Sequence, residues 1–342
     1  MSLPIEDILD TAEPPPLRSI GRSREGREIL GTVLGDGPRH VSLIGGCHAD
    51  EPVGPAMLRR LASYLASRTA GDPLLASYTW YLVPHVNPDG EARNAAWSEK
   101  TLPAGRVEDR VYDLFHYLRH VIREKPGDDM EFGFPRGPED EGARPENRAV
   151  AAFLAPGAPF ALHGSFHSIA FASGPWFLIE PAWVDRTANL RDALRERVRS
   201  LGYGLFDVDR GGEKGFRRID EGFSTRPDSR SMIAWFEERG EPEMASKFRP
   251  SSMEHVRSLG GDPFTFVSEM PLFLRPLPEG DTGRPDNPVF RAWLERAALA
   301  RGPEEVRAEM EKAGVRGMPL RDQMRLQLAF LEESINLLGT AG

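Results

Sequence analysis

The stretch Ile44-Gly45-Gly46-Cys47-His48-Ala49-Asp50-Glu51-Pro52 decides how this chain is read. It sets a histidine and a glutamate three residues apart, after the apolar β-like run 40–46 and before residues 53–65, whose apolar positions recur at helical spacing. Strand, loop and helix in that order bring both side chains to the carboxyl end of a strand, where open α/β sheets keep their ligands. A neutral imidazole and a carboxylate are suitable zinc ligands, and a catalytic zinc takes three protein ligands plus one open position. His48 and Glu51 supply two of the three. Taken alone, the pair could equally be a loop cap and a surface acid.

Outward from that loop the pattern alternates. Residues 28–34 and 79–86 read as strands, the second closed by the turn Asn87-Pro88-Asp89-Gly90. Residues 160–166, 176–179 and 264–267 read as further strands, and 107–123, 145–154 and 185–201 as helices. Strands separated by helices imply an α/β fold with a largely parallel or mixed sheet. Residues 124–146 are rich in Gly, Pro and charge and read as a surface loop. Three divisions follow: an acidic extended lead-in over 1–17 ending in Pro14, Pro15 and Pro16, a catalytic domain over 18–280, and a helical C-terminal extension over 281–342 whose clearest helix is 320–338.

Composition narrows the function. With 40% hydrophobic and 28% charged residues among 342, the chain has the make-up of a globular protein with a sizeable core. A formal charge of -9 offers no basic face, which argues against nucleic acid as a partner. No segment nears the ~18 apolar residues of a membrane span, and the start lacks a basic-then-apolar leader, so no membrane partner and a cytoplasmic location are expected. Cys47 is the sole cysteine, which excludes an intramolecular disulfide and leaves any metal to His and carboxylates.

A longer pattern gives the His-x-x-Glu pair a context. His48-x-x-Glu51, then Asn87-Pro88-Asp89-Gly90-x-x-Arg93-Asn94, a later strand histidine and Ser268-Glu269-Met270-Pro271 together resemble the zinc carboxypeptidase (carboxypeptidase A-like, or funnelin) family over roughly residues 20–274. The resemblance implies a mixed, mostly parallel eight-stranded sheet flanked by helices, with one zinc per chain at the strand ends. It makes Glu269 the general base and Arg93 the group that polarises the scissile carbonyl, with Asn94 beside it on the substrate side. The third metal ligand lies in Phe160-Ala161-Leu162-His163-Gly164-Ser165-Phe166-His167-Ser168, where two histidines four apart share one face of a strand. His167 is taken as the ligand for its strand-end place and its His-Ser step. His163 sits deeper and resembles the His-Gly version of related deacylases.

One segment departs from the family. Where carboxypeptidases carry an Asn-Arg pair that grips the substrate's terminal carboxylate, this chain has Asp129-Met130-Glu131-Phe132. An anion stands where a cation would hold an anion. Either Glu131 binds an amine or guanidinium of the substrate, or an arginine of the 215–218 or 224–230 stretches restores carboxylate binding from another loop. The expected substrate is a peptide or an N-acyl amino acid, the latter if the chain is a small-molecule amidohydrolase of the desuccinylase or aspartoacylase type. A zinc-binding protein without turnover is the third reading, disfavoured because a binder needs neither base nor polarising group.

Overall fold

A computed structural model describes residues 2–104, 106–125, 128–137, 139–277, 288–300 and 302–340. Its strands are β1 (Arg18–Arg22), β2 (Glu28–Leu34), β3 (Arg39–Gly45), β4 (Tyr78–Val83), β5 (Thr101–Ala104), β6 (Arg106–Tyr112), β7 (Leu162–Ala172), β8 (Trp176–Ile179), β9 (Arg218–Asp220), β10 (Phe223–Thr225), β11 (Phe264–Leu274) and β12 (Arg316–Gly317). Its α-helices are α1 (Ile5–Asp10), α2 (Val53–Ala66), α3 (Pro73–Ser77), α4 (Pro88–Ser98), α5 (Leu114–His120), α6 (Pro145–Leu154), α7 (Ala188–Ser200), α8 (Ser229–Glu237), α9 (Pro242–Ala245), α10 (Ser252–Ser258), α11 (Pro288–Leu299), α12 (Pro303–Lys312) and α13 (Leu320–Thr340). The main sheet runs β1-β2-β4-β3-β7-β11-β8-β10-β9, with β12 added to β11.

The centre of this sheet, β4-β3-β7-β11, is parallel, and antiparallel strands flank it. It is the mixed, helix-flanked sheet expected. Its ten strands exceed the expected eight, and β9, β10 and β12 are only two or three residues long. Apolar runs explain the centre: β4 is buried along its whole length and β11 at every position but Glu269. Strands buried on both faces are continuous rather than alternating in hydrophobicity. Val41 and Leu43 of β3 face one core, with α2, α7 and α13, while Ile44 faces a second with α6. Phe330 of α13 packs on Phe266 and Phe177, ring centroids 4.3 and 5.1 Å apart.

Two expectations are corrected. Residues 107–123 are not one helix: β5 and β6 form an antiparallel hairpin, and only α5 is helical, started by Asp113, whose carboxylate accepts the Phe115 N–H. The β-branched Val111 suits a strand, and the Asp113 cap resets the chain. Residues 128–137 are not a surface loop either. Met130 and Phe134 are fully buried, and Asn147 of α6 donates to the Met130 carbonyl, so apolar side chains drawn inward make this segment a wall of the cleft.

Candidate active site

β3 ends at Gly45, and the next residues turn toward α2 before the helix begins at Val53. That turn holds His48 and Glu51. β3 pairs with β7 up to Gly45 opposite Phe166, so His167 is the first β7 residue past the end of that ladder. The sheet opens there, and three donors meet. His48 Nδ1 lies 2.8 Å from Glu51 Oε1, His167 Nδ1 lies 2.8 Å from Glu51 Oε2, and the two ring nitrogens are 3.2 Å apart.

These spacings fit a zinc ion. Ligands at 2.0–2.2 Å around a tetrahedral centre stand ~3.3 Å from one another, close to what the three donors show. Two imidazole nitrogens and a buried carboxylate aimed at one point are costly to hold together unless a cation joins them. Burial alone would raise the Glu51 pKa, yet His48 and His167 outweigh it and hold the group well below the ordinary carboxylate range, so the carboxylate stays ionised. His163, by contrast, lies four residues deeper along β7, about 13 Å away at strand rise. Its Nδ1 is engaged by the Ser42 hydroxyl at 2.8 Å, and burial followed by the charge of Arg226 depresses its pKa.

Glu269 stands in β11 directly opposite His167 in register, so both side chains leave the same face of the sheet. Burial, then the Glu51 charge, pushes its carboxyl up to about 7. It lines a cavity of about 740 Å³ with His48, His167, Glu131 and Arg123. Arg93 is not among the lining residues. It projects from α4 into an ion pair with Glu25, its side chain 40% exposed. The Arg93 expectation is corrected by placement, because position 93 faces away from the cleft while Arg123 faces into it.

Arg123 follows α5 in an extended segment, its NH1 3.2 Å from Asp50 and its NH2 3.6 Å from Glu51. The charge of Asp50 first, then that of Glu51, raises its pKa, and its side chain is 45% exposed where it lines the cavity. Asn94 is buried and does not line the cavity. Its amide donates to the carbonyls of Gly90 and Ile122, and its oxygen accepts from the Ile122 N–H and the Trp97 indole. Rather than meeting a substrate, it fixes the backbone next to Arg123. Glu131 does reach the cavity, where Arg226 NH2 donates to its Oε1 at 2.9 Å and its Oε2 lies 3.3 Å from His167 Nε2. Sequence reasoning missed Arg123, which reads locally as a charge after a helix, and Asp50, whose only signal was its place between His48 and Glu51.

Residues 13–176 match the zinc carboxypeptidase family model. Over that segment the chain is similar to the zinc carboxypeptidases. It is 32% identical over 152 residues to zinc carboxypeptidase A 1 of Anopheles gambiae, covering 40% of this chain and 34% of that one. To human carboxypeptidase Z it is 42% identical over 84 residues, 21% of this chain and 13% of the relative. These matches thus span about a third or less of the curated relatives. Among solved structures, bovine thrombin-activatable fibrinolysis inhibitor in complex with tick carboxypeptidase inhibitor superposes with a TM-score of 0.50 at 13% identity, over 99% of this chain and 95% of that one. At that identity the likeness concerns the fold, and it extends well beyond the segment that the family model matches.

Proposed function

We propose that the chain is a zinc-dependent peptidase of the carboxypeptidase type, holding one zinc on His48, Glu51 and His167. The observation that carries this reading is the convergence of His48 and Glu51, from the turn after β3, with His167 of β7, while Glu269 stands opposite His167 on β11 and lines the same cavity as the two histidines. Zinc bound there supplies Lewis acidity, polarising a carbonyl oxygen and bringing the pKa of a water to about 7.

The side chains do the rest. Glu269 takes a proton from the attacking water and passes it to the leaving nitrogen, a task suited to a carboxylate whose pKa lies near neutrality. Arg123 directs its guanidinium at the carbonyl oxygen as negative charge develops there, the part that the resemblance gave to Arg93. Asp50 holds Arg123 in place, and Asn94 holds the chain that carries it. The Ser165 hydroxyl, 2.7 Å from the outer nitrogen of His167, sets the ring's tautomer and direction, with the Glu131 carboxylate 3.3 Å away adding its charge. The substrate is a peptide, and the single cysteine is consistent with activity in the cytoplasm.

The test is hydrolysis of N-acylated dipeptides by zinc-loaded protein, wild type against Glu269→Gln. We expect about 10³-fold loss of kcat in the variant with zinc still bound. A variant that turns over at the wild-type rate would remove Glu269 from the chemistry.

A further inference from the structure

The segment that replaces the Asn-Arg clamp left two ways of recognising a substrate's end, and the cavity separates them. For Glu131 to bind an amine it needs an unmatched charge. Its Oε1 accepts from Arg226, so its charge is already matched by a guanidinium, while its Oε2 lies 3.3 Å from the His167 ring without a hydrogen bond. Among the arginines of the 215–218 and 224–230 stretches, Arg217, Arg218 and Arg230 are exposed, and Arg218 is paired with Asp207. Arg226 alone of the four is buried, at 2% exposure, and lines the cavity.

Its donors are only partly used. NH2 donates to Glu131 and to the Ser252 hydroxyl, at 2.9 and 2.6 Å, and NH1 makes a long contact of 3.4 Å to the Phe266 carbonyl. Nε has no hydrogen-bond partner. A guanidinium carries five N–H donors in a fork that matches a carboxylate, and a buried donor without a partner is destabilising until a ligand satisfies it. Three elements hold the group in place: Glu131 in the wall segment, Ser252 at the start of α10, and the β10 end from which Arg226 itself projects. Phe132, Met232, Phe236 and Phe248 form an apolar cluster on the same cavity wall.

We propose that Arg226 receives the α-carboxylate of a substrate's C-terminal residue, restoring from β10 the clamp lost at positions 131 and 132, with the aromatic wall taking that residue's apolar side chain. This rests on the peptidase reading above. Arg226 NH2 lies 2.9 Å from Glu131 Oε1 and Glu131 Oε2 lies 3.3 Å from His167 Nε2, so one carboxylate stands between the guanidinium and the His167 ring. Glu131 is then the positioning residue shared by the metal ligand and the clamp.

The experiment compares an N-acylated dipeptide ending in phenylalanine with its C-terminal carboxamide, for zinc-loaded wild type and Arg226→Gln. Calorimetric binding of N-acetylphenylalanine and N-acetylphenylalaninamide to the same proteins runs in parallel. We expect wild type to favour the acid about 100-fold in both kcat/KM and affinity, and the variant to favour it less than about 5-fold. Because Arg226→Gln strands the buried Glu131 charge, a Glu131→Gln/Arg226→Gln variant serves should the single one fail to fold. A folded variant that keeps the full preference, or a wild type with none, overturns the proposal. Failure of wild type to cleave either peptide while it still binds the acid through Arg226 would instead count against the peptidase reading alone.

Discussion

Arg123 and Arg93 differ in what surrounds them, and that difference sets what their loss does. Arg123 is paired with Asp50 and Glu51 and lines the cavity, so Arg123→Gln should lower kcat about 10²- to 10³-fold, the range found when one donor to a developing oxyanion is removed. Arg93→Gln removes an exposed pair with Glu25 and should leave kcat/KM within about 3-fold of wild type. Steady-state kinetics on both variants checks the assignment, and equal losses would contradict it. The sequence alone could point to the His48-Glu51 pair because three residues of one turn bring both ligands together. It could not point to Arg123, which Asn94 fixes beside the site across 28 positions by pairing with the Ile122 backbone. Glu131 was legible as a departure but not as a partner of Arg226, since 95 residues separate them.

At the scale of elements, α13 closes the core and α1 is tied to it. Arg325 and Arg321 of α13 hydrogen-bond Glu6 of α1, at 2.7 Å each, and Arg325 first among them lowers the Glu6 pKa to about 2. A depressed pKa contributes stability that is fully present above the unfolded value near 4.5 and is lost as pH falls toward 2. Wild type should therefore melt slightly higher than Glu6→Gln at pH 6, the gap closing by about pH 2, and being half exposed the clamp is worth under about 1 kcal/mol. A gap that persists at low pH would contradict this ionic account. Phe330→Ala opens a space against Phe266 and Phe177 and should cost about 3–5 kcal/mol in chemical denaturation, whereas a loss below 1 kcal/mol would mean that α13 is not integral to the core. Residues 107–123 were misread because the apolar spacing of α5 extends backward over β6, and helix and strand periods are hard to separate in so short a run.

Over the whole molecule, the parallel centre was readable because buried strands announce themselves as continuous apolar runs, as in β4 and β11. The short edge strands β9, β10 and β12 were not, since two or three residues carry no period and are ordered only by the neighbours they pair with. The cavity likewise belongs to no single segment: its wall joins residues 129–132, 206–236 and β7–β11, and the chemistry arises where they meet. The central claim is that His48, Glu51 and His167 form one metal centre and that His163 lies outside it. Elemental analysis of purified wild type, His48→Ala, His163→Ala and His167→Ala tests it most directly. We expect one zinc per chain in wild type and in folded His163→Ala, and none in His48→Ala or His167→Ala. Zinc retained by His167→Ala and lost from His163→Ala would contradict the account.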